Sequence, residues 1–141
     1  MDGSSSTYQY IQSSLKESTV RFLVMVKFTE EPTVQGPTDA MGAFNKALIR
    51  DGVLLAAEGL QPTSKGVRIT YQGGRPTVTD GPFAESKELV AGFWILQGRS
   101  KEEIVERLLQ CPFEGGEFVE IRQIADDEEI NARIARKHER G

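Results

Sequence analysis

The stretch that most constrains the fold of this chain is Thr79 to Gln97. Its second half, Val90-Ala91-Gly92-Phe93-Trp94-Ile95-Leu96, is a nearly unbroken apolar run holding the only tryptophan. At that length, with β-branched and aromatic residues, it reads as a buried strand. Its first half is polar and turn-forming: Asp80 bonds its own backbone readily, Gly81 permits positive φ, and Pro82 fixes φ and lacks an N–H. Arg21 to Phe28 is a second such strand, with Phe22, Val24, Val26 and Phe28 on one face and Leu23 and Met25 on the other. A half-solvated antiparallel sheet alternates apolar and polar residues, so strands apolar on both faces need cover on both.

The remaining elements follow from periodicity and punctuation. Thr38 or Asp39 is a helix N-cap, Met41, Phe44, Ala47 and Leu48 recur at helical spacing, and Gly52 closes the helix as C′. Val53 to Ala57 is a strand ended by Glu58-Gly59-Leu60, and Pro62 opens a linker. Val67 to Tyr71 and Pro76 to Thr79 flank Gln72-Gly73-Gly74 and predict a hairpin. Ser100 and Glu103 form a capping box ahead of Ile104, Val105, Leu108 and Leu109, and Cys111-Pro112 ends that helix. Glu117 to Ile124 is the last strand, with Val119 and Ile121 on one face and Phe118 on the other. Without the hairpin the order is βαββαβ, an α+β ferredoxin-like plan with a β-hairpin insert. Two helices cover only one face of such a sheet. The other face is expected to pack on a second copy, in a C₂ homodimer built through the sheet face.

Three segments are expected: a polar, Ser-rich N-terminal arm over 1–19, a folded domain over 20–125, and a charged helix over 126–141. In that helix Ile130 and Ile134 form only a thin apolar stripe, and Tyr8, Tyr10 and Ile11 are the docking residues of the arm. The net charge of −4 argues against non-specific nucleic-acid binding. The basic tail residues Arg133, Arg136, Lys137 and Arg140 face Asp126, Asp127, Glu128, Glu129 and Glu139 and read as a solvated helix. A single cysteine and a single histidine, with no CxxC or HExxH, give no metal-binding pattern, and neither metal nor cofactor is expected. No apolar run reaches the ~18 residues of a membrane span, and no basic-then-apolar leader is seen, so a cytoplasmic location without membrane contact is expected.

Five spaced blocks carry a family resemblance. They are Thr79-Asp80-Gly81-Pro82-Phe83-Ala84-Glu85-Ser86-Lys87-Glu88, Glu58-Gly59-Leu60, Gly92-Phe93-Trp94, Cys111-Pro112 and Glu120-Ile121-Arg122. In this order they resemble the signature of the YCII-related, or DGPF-domain, family. The resemblance implies a ferredoxin-like dimeric α/β-barrel and agrees with the plan read from periodicity. It implies little about chemistry, since most members have no assigned reaction. Members found beside or fused to extracytoplasmic-function sigma factors imply a regulatory role as one reading. One bacterial branch carries a His–Asp pair suggested to be catalytic. This sequence departs from it, because its single histidine, His138, lies in the charged tail.

The candidate chemistry centres on Asp80. Buried beside Phe83 or Trp94, its carboxyl would be pushed upward and would suit a general acid or base; in the structural reading it closes an Asx-type turn. Lys87, flanked by Glu85 and Glu88, is the candidate anchor for a small anionic ligand, or part of a solvated charge run. Glu58 ends a strand, and facing Asp80 it would form a carboxylate pair with split pKa values. Arg68 and Arg122 lie in strands, where each needs a carboxylate, either internal (Asp80, Glu58 or Glu120) or from a ligand. Phe83 and Trp94 are pocket-wall candidates, although Phe93 and Trp94 read first as core or dimer-interface residues. Gly73-Gly74 and Gly115-Gly116 are turns outside any nucleotide-binding context, and Cys111 reads as an inert thiol. Two functions from different classes stand: a metal-free small-molecule enzyme using Asp80, and a non-catalytic ligand- or protein-binding module.

Overall fold

The two strands that are apolar on both faces become the central pair of the sheet. A computed structural model describes residues 19–31, 38–83 and 88–140. Its elements are β1 (Val20–Phe28), α1 (Asp39–Arg50), β2 (Leu54–Gly59), a 3₁₀ turn (Thr63–Lys65), β3 (Val67–Gln72), β4 (Arg75–Asp80), β5 (Leu89–Gly98), α2 (Lys101–Leu108), β6 (Glu117–Gln123) and α3 (Asp127–Arg140). β2, β5, β1 and β6 form one sheet in that order, every neighbouring pair antiparallel, while β3 and β4 form a separate two-stranded sheet. This α+β architecture is compatible with a ferredoxin-like fold. The second strand runs to Gly59, two residues past the expected end, because Glu58 and Gly59 pair with Phe93 and Gly92 of β5.

Helix α1 starts where Thr38 accepts a hydrogen bond from the Met41 amide at 3.0 Å. It stops at Asp51, and Gly52 follows with φ of 71°, a left-handed value that glycine adopts without steric cost. The α1 carbonyls do not end free, since the Asp51 amide bonds Ala47 and the Gly52 amide bonds Ile49. Helix α2 uses the expected box: the Glu103 amide donates to the Ser100 hydroxyl, and the Glu103 carboxylate reaches back to the Arg99 amide. The two helices are tied end to end by Asp51, which accepts from Arg107 at 2.8 Å and from Arg50 at 3.1 Å. Those two bonds hold its carboxyl below the usual range.

The core lies between the helices and one face of the sheet. Phe22, Val24, Leu48, Trp94, Leu96 and Ile104 are buried there, with Val119, Ile121, Met41 and Phe44 packed against them. Full burial of each large side chain stabilises by about 1.5–3 kcal/mol. Register explains the segregation. Val24 lies between Trp94 and Ile121, and Phe22 is opposite Leu96, so all point toward the helices.

Candidate functional site

The opposite residues of the same strands build the helix-free face. Leu23 lies between Ile95 and Arg122, Met25 between Phe93 and Glu120, and Lys27 between Val90 and Phe118. The register shifts between Val26 and Lys27, so that Ala91 is the extra residue of a bulge in β5. This face is apolar at its centre, charged toward β6, and covered by no helix.

Lys27 is the one charged residue buried among the described residues, with 8% of its surface exposed. Its stem passes between apolar neighbours while the ammonium reaches carboxylates, the usual compromise for a lysine in a sheet. Nζ donates to Glu120 at 2.7 Å and stands 3.7 Å from the exposed Glu88. The Glu120 bond raises the Lys27 pKa above its ordinary 10.5, against a smaller opposing effect of desolvation. In return the ammonium lowers the Glu120 pKa. An ammonium has three donors. Glu120 takes one, and Glu88 is too far away for a good hydrogen bond.

Beyond Val90 the face runs into a small pocket lined by Glu31, Leu60, Gln61, Pro62, Thr63, Leu89, Val90 and Ala91. Its volume is about 30 Å³, room for about two water-sized groups. One wall is a polar knot. The Thr63 amide donates to the Glu31 carboxylate at 3.0 Å, the Thr63 hydroxyl donates to the same oxygen, and the Phe83 amide donates to that hydroxyl at 3.3 Å.

The knot explains why the turn at 80–83 has its residues. The Gly81 amide donates to the Gly66 carbonyl at 2.9 Å. A Cβ on Gly81 would fall 1.7 Å from the Thr63 carbonyl oxygen, so only glycine fits there. The Gly81–Pro82 peptide is cis. Phe83 is buried beside Gly66, and the Arg68 guanidinium carbon lies 3.8 Å above the centroid of its ring, a cation–π contact.

The expected site residues therefore separate. Asp80 closes the root of the β3–β4 hairpin opposite Val67 and is exposed. Glu58 is exposed on β2 opposite Phe93. Arg68 and Phe83 come together, the guanidinium over the ring. Arg122 is exposed and 3.9 Å from Glu120. Trp94 lies on the helix-covered side, its indole N–H donating to Asn45 at 2.9 Å and its ring packing against Phe44 and Phe113. Lys87 lies outside the described residues. No ion pair or hydrogen bond joins Asp80 to Glu58 among the described residues. Lys27 and Glu31 escaped sequence reasoning, yet a lysine inside an apolar strand was the available signal for the first.

Comparison with known proteins supplies the family. A model of the YCII-related domain matches residues 20–128, more than three quarters of the chain. The chain belongs to the YCII-related family. It is also 30% identical over 66 residues to an uncharacterized protein of Rhizobium meliloti, a match covering 47% of this chain and 53% of that protein. The chain thus spans about half the length of the curated relative it matches. The YCII-related match takes in all six strands, α1, α2, the hairpin turn and the first residues of α3.

Proposed function

We propose that this YCII-related protein is a homodimer closed through the helix-free sheet faces, forming the dimeric α/β-barrel its family resemblance implies. In this reading it binds a small anionic ligand beside Lys27. The observation that carries the proposal is a nearly buried ammonium with spare donor capacity, set at the border of an apolar, uncovered face. Leu23, Met25, Phe93 and Ile95 supply apolar surface for a second sheet. A dimer would deepen the small pocket next to Val90 by walling it from the open side. Glu88, exposed and loosely held, is the carboxylate an anion would displace.

A second, catalytic reading rests on a separate observation. Asp80 precedes Gly81, whose backbone abuts Thr63 in the pocket wall. In that reading Asp80 acts as acid or base on the bound molecule, without metal or redox cofactor. The first reading needs only binding.

The test is a thermal-shift screen of anions and carboxylated metabolites on wild type, Lys27→Met and Asp80→Asn, with light scattering on the same samples. A ligand at ~100 times its Kd stabilises by about 2.7 kcal/mol, or about 5–10 °C in Tm for a chain of this size. The expected result is a dimer whose ligand shift disappears in folded Lys27→Met. If the shift survives in Asp80→Asn and no turnover is detected, the binding reading stands and the catalytic one falls. A monodisperse monomer at micromolar concentration, or a shift indifferent to Lys27, overturns the proposal.

A further inference from the structure

Two parts of the chain carry apolar surface that their own protomer leaves uncovered. In the β3–β4 hairpin, pairing of Val67 with Asp80, Ile69 with Val78 and Tyr71 with Pro76 puts all six residues on one face. Its four large apolar members are exposed, Tyr71 by 76%. A two-stranded hairpin is marginal in water unless a face is packed. The second part is α3, where Ile130 and Ile134 form an exposed stripe and every residue from Asp126 to Glu139 faces solvent. Isolated helices of about this length are marginal as well.

The topology keeps these two parts from covering each other within one chain. The hairpin leaves edge strand β2 at the end of the sheet where β1 finishes, since the 3₁₀ turn leading into it is bonded to Glu31, just beyond β1. Helix α3 leaves the opposite edge strand, β6, at the other end, where the Ile124 amide donates to the Arg21 carbonyl at 2.8 Å. They occupy opposite corners, separated by the ~30 Å length of β1 and the width of four strands. A two-fold axis lying between stacked sheets, at right angles to this diagonal, exchanges the corners.

The two surfaces also match in length and charge. Six rungs of hairpin span about 20 Å, and the 14 residues of α3 span about 21 Å. On the hairpin's apolar face the one charged residue is Asp80, at the root, while Arg68 and Arg75 lie on the other face. Helix α3 is acidic in its first turn, Asp127, Glu128 and Glu129, and basic further on, at Arg133, Arg136 and Lys137. With the helix N-terminus over the tip, its basic residues lie over the root and meet Asp80.

We infer that in the dimer the apolar face of one protomer's hairpin is covered by the α3 helix of a second copy, in two equivalent exchanged contacts. This rests on the dimer proposed above and adds a second, arm-like contact to its sheet interface. It also lays the basic half of that helix beside Asp80.

The experiment places the photo-crosslinking residue p-benzoylphenylalanine at Tyr71 of the full chain, mixes heavy-isotope and light chains after refolding together, and maps crosslinks by mass spectrometry. Light scattering is run on the same sample. The expected result is heavy–light crosslinks landing within 126–139, with the reciprocal probe at Ile134 landing within 67–80. Ile134→Glu should weaken dimerisation at least ~10-fold, as loss of a buried apolar anchor does. A dimer whose crosslinks fall within one chain, between two hairpins, or on residues 1–18 overturns this contact and spares the sheet interface. A monomer overturns both.

Discussion

Replacing Gly81 by alanine tests whether the signature turn is a fixed structural joint. The new Cβ would lie 1.7 Å from the Thr63 carbonyl oxygen and 2.7 Å from the carbonyl carbon, both backbone atoms that cannot swing aside. Either the turn or the 3₁₀ segment must move. Forced overpacking costs about 1–3 kcal/mol, and loss of the Gly81–Gly66 hydrogen bond adds about 1 kcal/mol, for a total of about 2–4 kcal/mol. With a urea m-value of about 2 kcal/mol/M, the midpoint should fall by about 1–2 M. Gly42→Ala is the control. It sits inside α1 with nothing within 4 Å of its Cβ position, and relief of glycine entropy should stabilise by about 0.5–1 kcal/mol. Both variants are measured by urea denaturation followed by tryptophan fluorescence, since Trp94 lies in the core. A local opening of the hairpin would show instead as a reduced m-value and faster proteolysis at 67–80. If Gly81→Ala unfolds at the wild-type midpoint, with unchanged m-value and protease resistance, the close approach at this turn is refuted.

Other predictions are direct. The Lys27–Glu120 pair stabilises the fold between the ordinary pKa of Glu120, 4.5, and that of Lys27, 10.5. Glu120 is depressed in the fold, so its share is lost as pH falls through its folded value. Lys27 is raised, so its share is lost as pH rises through its own. Stability of wild type relative to Lys27→Met should therefore be flat across that window and decline on either side; a constant difference down to pH 2 would contradict the pairing. Burial pushes the Cys111 thiol up to about 11, so at neutral pH its thiolate fraction, and its alkylation rate by iodoacetamide, should be ~100-fold below a free cysteine. Reaction at the free rate would contradict its burial. Ser100→Ala removes the α2 cap and should cost about 1 kcal/mol in urea denaturation, and an unchanged midpoint would show that Glu103 alone holds the helix start.

The order of elements was legible in the chain because each signal is local. Thr38, Ser100 and Gly52 mark helix ends through bonds and dihedrals that involve only near neighbours. Strand faces were legible for the same reason, since Val24 and Leu23 point to opposite sides by the geometry of a pleat. The apolar character of both faces of β1 and β5 was legible too, and the fold places these strands at the centre of the sheet.

The site was less legible. Trp94 follows the signature turn in sequence, yet it faces the helix side with Val24, while the bulge at Ala91 turns Val90 to the other side with Lys27. Arg68 lies over the face of Phe83, a contact with no local mark in the sequence, because only folding brings β3 over the turn after β4. Lys27 and Glu120 are 93 residues apart, and neither carries a local mark of the other. Local chemistry in the sequence determined the elements, their ends and which faces are apolar. Tertiary structure alone decided which charges meet, because pairing depends on strand register and sheet order, and these are set by the whole packed chain rather than by any stretch of it.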